Sequence, residues 1–192
     1  MPKIFSIKPA LTMRGRKFKG IRGLSGKPFH PPLTDIPIAC YILVGLFDLV
    51  SFVCYSRDET STVAHDFFVS GTHVILVGAI VSVPTILTGF WDWLKSTPKG
   101  SQAWRTANTH MAIMLTMSMI VAADILLRLA IWDAGYTDGV VLTLSLIIAA
   151  LVSLGSLYGG SMVYDYAFNV EMGPMEYAYN ESEVDKLPGE GS

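Results

Sequence analysis

The chain has 192 residues and a formal net charge of −2; 51% of it is hydrophobic and only 16% charged. Charged residues make up about a quarter of an ordinary soluble domain, so this composition excludes that class, and no nucleic acid is expected as a partner. The apolar residues gather in four blocks, at 36–55, 67–91, 107–132 and 140–164, each near the roughly 20 residues that cross a bilayer as a helix. None has the polar stripe that a soluble bundle helix carries.

Residues 1–29 form a basic arm with the core RGRKFKGIRG. It suits anionic lipid or a docking partner. No signal peptide is expected: the first apolar block starts after about 35 residues, is too long for an h-region and lacks a small-residue cleavage site. Eight lysines and arginines precede the first block, and Lys95, Lys99 and Arg105 follow the second, whereas Arg57 alone marks the opposite face. Cytoplasmic loops collect such residues, which predicts both termini in the cytoplasm of a multi-pass bacterial inner-membrane protein.

HPPLTDIPI leads into the first block, which keeps Asp48 in its middle. Cys40 and Cys54 lie about 21 Å apart along its helix, too far to bridge each other. The second block carries His73, Pro84 as a candidate kink, and Asp92 in GFWDWL. The third opens on Asn108 and His110, holds four methionines that read as packing residues, and ends with Asp124 and Arg128 four apart. The fourth reads SLGSLYGGSMVY before Asp165. Gly155, Gly159 and Gly160 would let another helix approach closely there. Residues 171–192 are a short acidic tail.

Charges within the hydrocarbon are expensive and mark candidate sites. Counting depth at about 1.5 Å per residue puts Asp48 about 10 Å, His73 about 9 Å, Asp124 about 12 Å and Arg128 about 6 Å from the outer ends of their helices. These four form one expected cluster, either a structural ion-pair network with His73 as a hydrogen-bond partner, or part of a proton path or an axial ligand site around His73. A second expected cluster at the cytoplasmic end joins His30, Asp35, Asp92, Asn108, His110 and Asp165. Two neutral imidazoles from different helices are the usual axial ligands of haem b in a bundle, which makes His30 and His110 its candidate ligands. Phe29, Phe90, Trp91, Trp93 and Trp104 could flank the macrocycle. The same His/Asp set could instead latch three helix ends together, or hold a divalent metal.

The HPPLTDIPI box, FDLV, LTGFWDW, RTANTH and YGGSMVYDYAFNVE occur in this order. Together they resemble an uncharacterised bacterial four-helix membrane family, a domain of unknown function often joined in relatives to a Rieske iron–sulfur domain. The resemblance covers residues 24–171. It marks His30, Pro31, Asp35, Pro37, Asp48, Asp92, His110, Arg128, Gly159 and Gly160 as motif residues. Where relatives often have a histidine after the double glycine, this chain has Ser161, and its tail has no cysteines for a cluster.

The expected architecture is an all-α integral membrane four-helix bundle over 30–170, between the basic arm and the acidic tail. The expected function is a non-catalytic accessory or anchor subunit of a respiratory or photosynthetic electron-transfer complex, with haem b as its candidate cofactor. Membrane lipid and other membrane subunits would be its partners. The alternatives are a small transporter or proton-conducting protein using the Asp48/His73/Asp124/Arg128 cluster, and a structural bundle with no cofactor. No nucleophile elbow, phosphate loop or zinc-protease box occurs.

Overall fold

The computed structural model describes residues 20–21 and 28–168. Apart from residues 20–21 and 28–29, the basic arm lies outside the described residues, as does the acidic tail. Within them the chain folds into four long helices: α1 (His30–Arg57), α2 (Thr62–Ser96), α3 (Gln102–Ala130) and α4 (Gly139–Tyr164). A single 3-10 turn, Trp132–Ala134, sits before α4. The protein is an all-α, multi-pass membrane four-helix bundle, since all four helices are long and apolar enough to span a bilayer.

Local chemistry sets the helix ends. Pro31 and Pro32 occupy the first turn of α1, where a missing N–H costs nothing, so the helix starts at His30, before the apolar block begins. The side chains of Ser61, Ser101 and Asp138 accept from backbone N–H groups at the starts of α2, α3 and α4. The third helix stops at Ala130, short of Trp132. Gly135 closes the turn there in the left-handed region (φ 72°), and a Cβ on it would sit 2.8 Å from the His65 ring. Pro84 is accommodated without a break in α2.

Helix α1 packs against α2 and α4, and α3 packs against α4 and more thinly against α2. The helices thus form a ring in which α1 and α3 occupy opposite corners. A Cβ on Gly78 would meet Tyr41 and Cys40 of α1 at 2.9 Å, so α1 and α2 are in close contact there. Tyr41, Val44, Ile75, Met117, Val121, Ile148 and Val152 make one buried apolar core. The outward faces are apolar too: Ile80, Leu87, Leu126 and Leu157 are 70%, 64%, 68% and 71% exposed. A water-soluble bundle would not present such a surface, and these side chains face lipid. Cys40 and Cys54 are both free thiols.

The end where α1 begins and α4 finishes is called proximal below, and the end carrying the Arg57–Thr62 and Ala130–Gly139 connections is called distal.

Candidate functional sites at the two ends of the bundle

At the distal end, Asp48, Asp124, Arg128, Ser51 and Thr137 are all completely shielded from solvent. Arg128 donates through Nη2 to Asp48 Oδ2 and through Nε to Asp124 Oδ2 at 3.2 Å. The Asp124–Arg128 pair is the i, i+4 pair read from the sequence; the Asp48 contact joins α1 to α3 across the ring. Thr137, from the loop before α4, donates its hydroxyl to Asp48 Oδ1 at 3.0 Å. Its backbone N–H donates to Ser51 Oγ at 3.1 Å, and Ser51 in turn donates to the Ala64 carbonyl at 2.8 Å. Gly71 of α2 makes room for the network: a Cβ there would lie 3.4 Å from Asp48 Oδ1 and 3.5 Å from Arg128 Nη1.

His73 is not part of this cluster, which corrects the expectation from depth. Thr72 faces the interior, and one further residue turns the chain by about 100°, so His73 is exposed. Its ring stands edge-on to Trp132, with centroids 6.4 Å apart. Thr137, Ser51 and Gly71 were not anticipated. Nothing in the GYTDG stretch distinguishes Thr137 from an ordinary loop residue ahead of the Asp138 cap.

At the proximal end the two histidines are held alike. The ring of His30 on α1 is bonded through Nδ1 to the Thr85 carbonyl of α2 at 2.9 Å. His110 on α3 is bonded through Nδ1 to the Gly155 carbonyl of α4 at 2.8 Å. A carbonyl only accepts, so each Nδ1 carries the hydrogen. In each neutral imidazole Nε2 then holds the lone pair, and neither Nε2 has a hydrogen-bond partner among the described residues. Gly89 sits under His30, where a Cβ would be 2.6 Å from Cε1, and Gly159 sits under His110 at 3.4 Å.

The remaining proximal residues do not close into one latch. Asp92 is buried and accepts from the Ile21 N–H at 3.2 Å, tying the segment ahead of α1 to the end of α2. Asn108 accepts from Trp93 Nε1 at 2.8 Å, linking α3 to α2. Asp35 is exposed: it lies two residues before the buried Pro37, or about 200° around the helix. Asp165 is exposed as well, and its carboxylate accepts from Ser161 one turn back on α4. Both aspartates therefore lie outside the cluster expected from depth. Gly155 and Gly159 pack against Met114 and His110 of α3, whereas among the described residues a Cβ on Gly160 would meet only Tyr164 of its own helix. Of the expected aromatic flank, Phe90 and Trp91 are exposed. Lys95 Nζ lies 5.0 Å over the Trp91 ring, an arrangement suited to the membrane interface.

The described residues contain no group of three or more His, Cys, Asp or Glu side chains able to hold a metal ion. Each imidazole keeps a lone pair on Nε2 with its other nitrogen fixed on a backbone carbonyl, the state in which a histidine can ligate a metal or haem iron. No curated protein and no solved structure matches the chain. A family model matches residues 26–172, which include both polar sites and all four helices, and the chain therefore belongs to the family described as Predicted membrane protein (DUF2231).

Proposed function

We propose that the protein is a non-catalytic membrane subunit of an electron-transfer assembly that holds haem b between His30 and His110. One observation carries this reading: both imidazoles have Nδ1 committed to a backbone carbonyl, 2.9 Å away for His30 and 2.8 Å for His110, which leaves two Nε2 lone pairs on diagonal helices. A histidine that merely cross-ties helices has no need of a matching partner. Gly89 and Gly159 support the reading, because the lack of a Cβ at each lets the neighbouring histidine ring lie close against the helix that faces it.

Haem b, once bound, supplies one-electron redox chemistry. The chain's own contribution is positional. The Thr85 and Gly155 carbonyls fix tautomer and ring orientation, which also raises the basicity of Nε2. The buried core of Tyr41, Val44, Ile75, Met117 and Val121 keeps water out of the middle of the bundle. The excess of lysine and arginine in the arm and in the loop after α2 favours a cytoplasmic proximal end. With the resemblance to bacterial proteins, it favours a bacterial cytoplasmic membrane. Other membrane subunits would exchange electrons with the site.

The test is a reduced-minus-oxidised visible spectrum of protein purified from haem-replete membranes. The reading expects a b-type band that disappears in both His30→Ala and His110→Ala. A wild-type preparation without the band sinks it.

A further inference from the structure

The distal cluster sets two carboxylates against one guanidinium, and all three side chains have no solvent exposure. Among the described residues, the elements packed around it supply no second cation. From α1 come Asp48 and Ser51, and from α2 come Gly71 and the Ala64 carbonyl, with His73 turned to the outside. The third helix supplies Asp124 and Arg128. The loop contributes Thr137 and, nearby, Asp138, an anion that caps α4. The buried residues of α4 are Val141, Ser145, Ile148, Val152 and Gly155, none of them charged. One cation therefore faces two buried anions, and an uncompensated charge at such a place is strongly disfavoured.

The two carboxylates are treated unequally. Asp48 accepts on both oxygens, from Arg128 and from Thr137. Asp124 accepts on Oδ2 alone, while its Oδ1 and the Arg128 Nη1 have no partner among the described residues. A bare carboxylate oxygen with no donor, sealed from solvent, is the arrangement that folded proteins avoid; the neutral acid is far less costly there. A metal cation would need several converging oxygens. Here three of the four carboxylate oxygens are already taken by donors.

We propose that the Asp48–Arg128–Asp124 cluster is a proton-binding site inside the bundle, with one proton carried on Asp124 Oδ1. The proton balances the second carboxylate, and Arg128 balances the first. The difference in hydrogen-bond donors selects Asp124 as the acid, since donors to a carboxylate favour its ionised form. This site is independent of the haem reading, from which the apolar core separates it.

The experiment is infrared spectroscopy of the full chain reconstituted in lipid vesicles at neutral pH. A protonated-carboxyl C=O band is expected in the wild type. It should shift on uniform ¹³C-aspartate labelling, vanish in Asp124→Asn and persist in Asp92→Asn, which removes the proximal buried carboxyl. Asp124→Asn should also keep the thermal midpoint of the wild type, because asparagine mimics the neutral acid. Absence of the band in the wild type overturns the proposal, as does its survival in Asp124→Asn. Should that variant fail to fold, the labelled wild type decides: a band that ignores aspartate labelling overturns the assignment. A midpoint that rises with sodium or calcium in protein lacking the band assigns the site to a metal cation, which also overturns it.

Discussion

Arg128 and Asp48 are 80 residues apart in the chain and are ion-paired with no solvent at either side chain. The pair fastens α3 to α1, two helices at opposite corners of the ring that otherwise pack on α2 and α4. In a membrane interior this polar fastening has little competition, because lipid offers the helices no hydrophobic reason to associate.

Removing the cation should therefore be the most damaging single change in the distal cluster. Arg128→Ala would leave Asp48 without its partner in a place without water, and breaking a buried pair from one side costs about 3–5 kcal/mol. Arg128→Lys should do less harm, since it keeps the charge but cannot span both aspartates with a planar fork. Thermal melting in detergent should rank wild type above Arg128→Lys and Arg128→Ala lowest. Equal midpoints for the two variants would mean that geometry, rather than charge, holds the cluster.

The Thr137 hydroxyl is the distal loop's only side-chain bond to Asp48. Thr137→Val keeps the shape and deletes that donor, leaving a buried carboxylate oxygen short of a partner at a cost of about 1–3 kcal/mol. Thr137→Ser restores the donor and should recover most of the loss. Chemical denaturation of the two variants in the same detergent checks the difference.

How much of this could be read from the sequence depends on the direction considered. Height along the bilayer was legible, because residue counts convert directly into depth, and they brought Asp48, Asp124 and Arg128 to one level. Rotation about each helix axis was not. A soluble helix advertises its inner face by an apolar stripe, but here the lipid-facing side is as apolar as the core. Ile80 and Leu87 point outward while Ile75 is buried, and no pattern separates them. Depth therefore gives Asp35 and His73 the right level and the wrong side. The overall fold escaped this ambiguity because it needs only the number and length of apolar blocks. The histidine tautomers were illegible for another reason: the Thr85 and Gly155 carbonyls that set them belong to the backbone, which leaves no signature in residue identity.

His73 supplies the converse test of that argument. Depth alone gives it the standing of Asp48, whereas the structure turns it to the outside beside Trp132. His73→Ala should shift stability by no more than about 0.5 kcal/mol, as surface replacements do. The distal carboxyl band in the infrared spectrum should also be unchanged. A large loss of stability would mean that His73 reaches the cluster in the membrane.

The two glycines Gly89 and Gly160 separate packing against a candidate ligand from simple occupancy of a helix. Alanine favours a helix over glycine by about 1 kcal/mol, so Gly→Ala should stabilise wherever there is room. At Gly160 the nearest atom to the new Cβ is 3.8 Å away, on the flexible ring of Tyr164, and Gly160→Ala should be neutral or mildly stabilising. At Gly89 the Cβ would stand 2.6 Å from His30 Cε1 and 2.8 Å from Nδ1. The ring must then move away from α2, weakening the bond that fixes its tautomer. Overpacking of this kind costs about 1–3 kcal/mol, which outweighs the gain in helix propensity. Gly89→Ala should therefore melt below wild type and Gly160→Ala at or above it. If haem is bound, only Gly89→Ala should weaken the b-type band. A Gly89→Ala protein that is fully stable would show that His30 can leave its seat freely, and that the Thr85 carbonyl does not hold it.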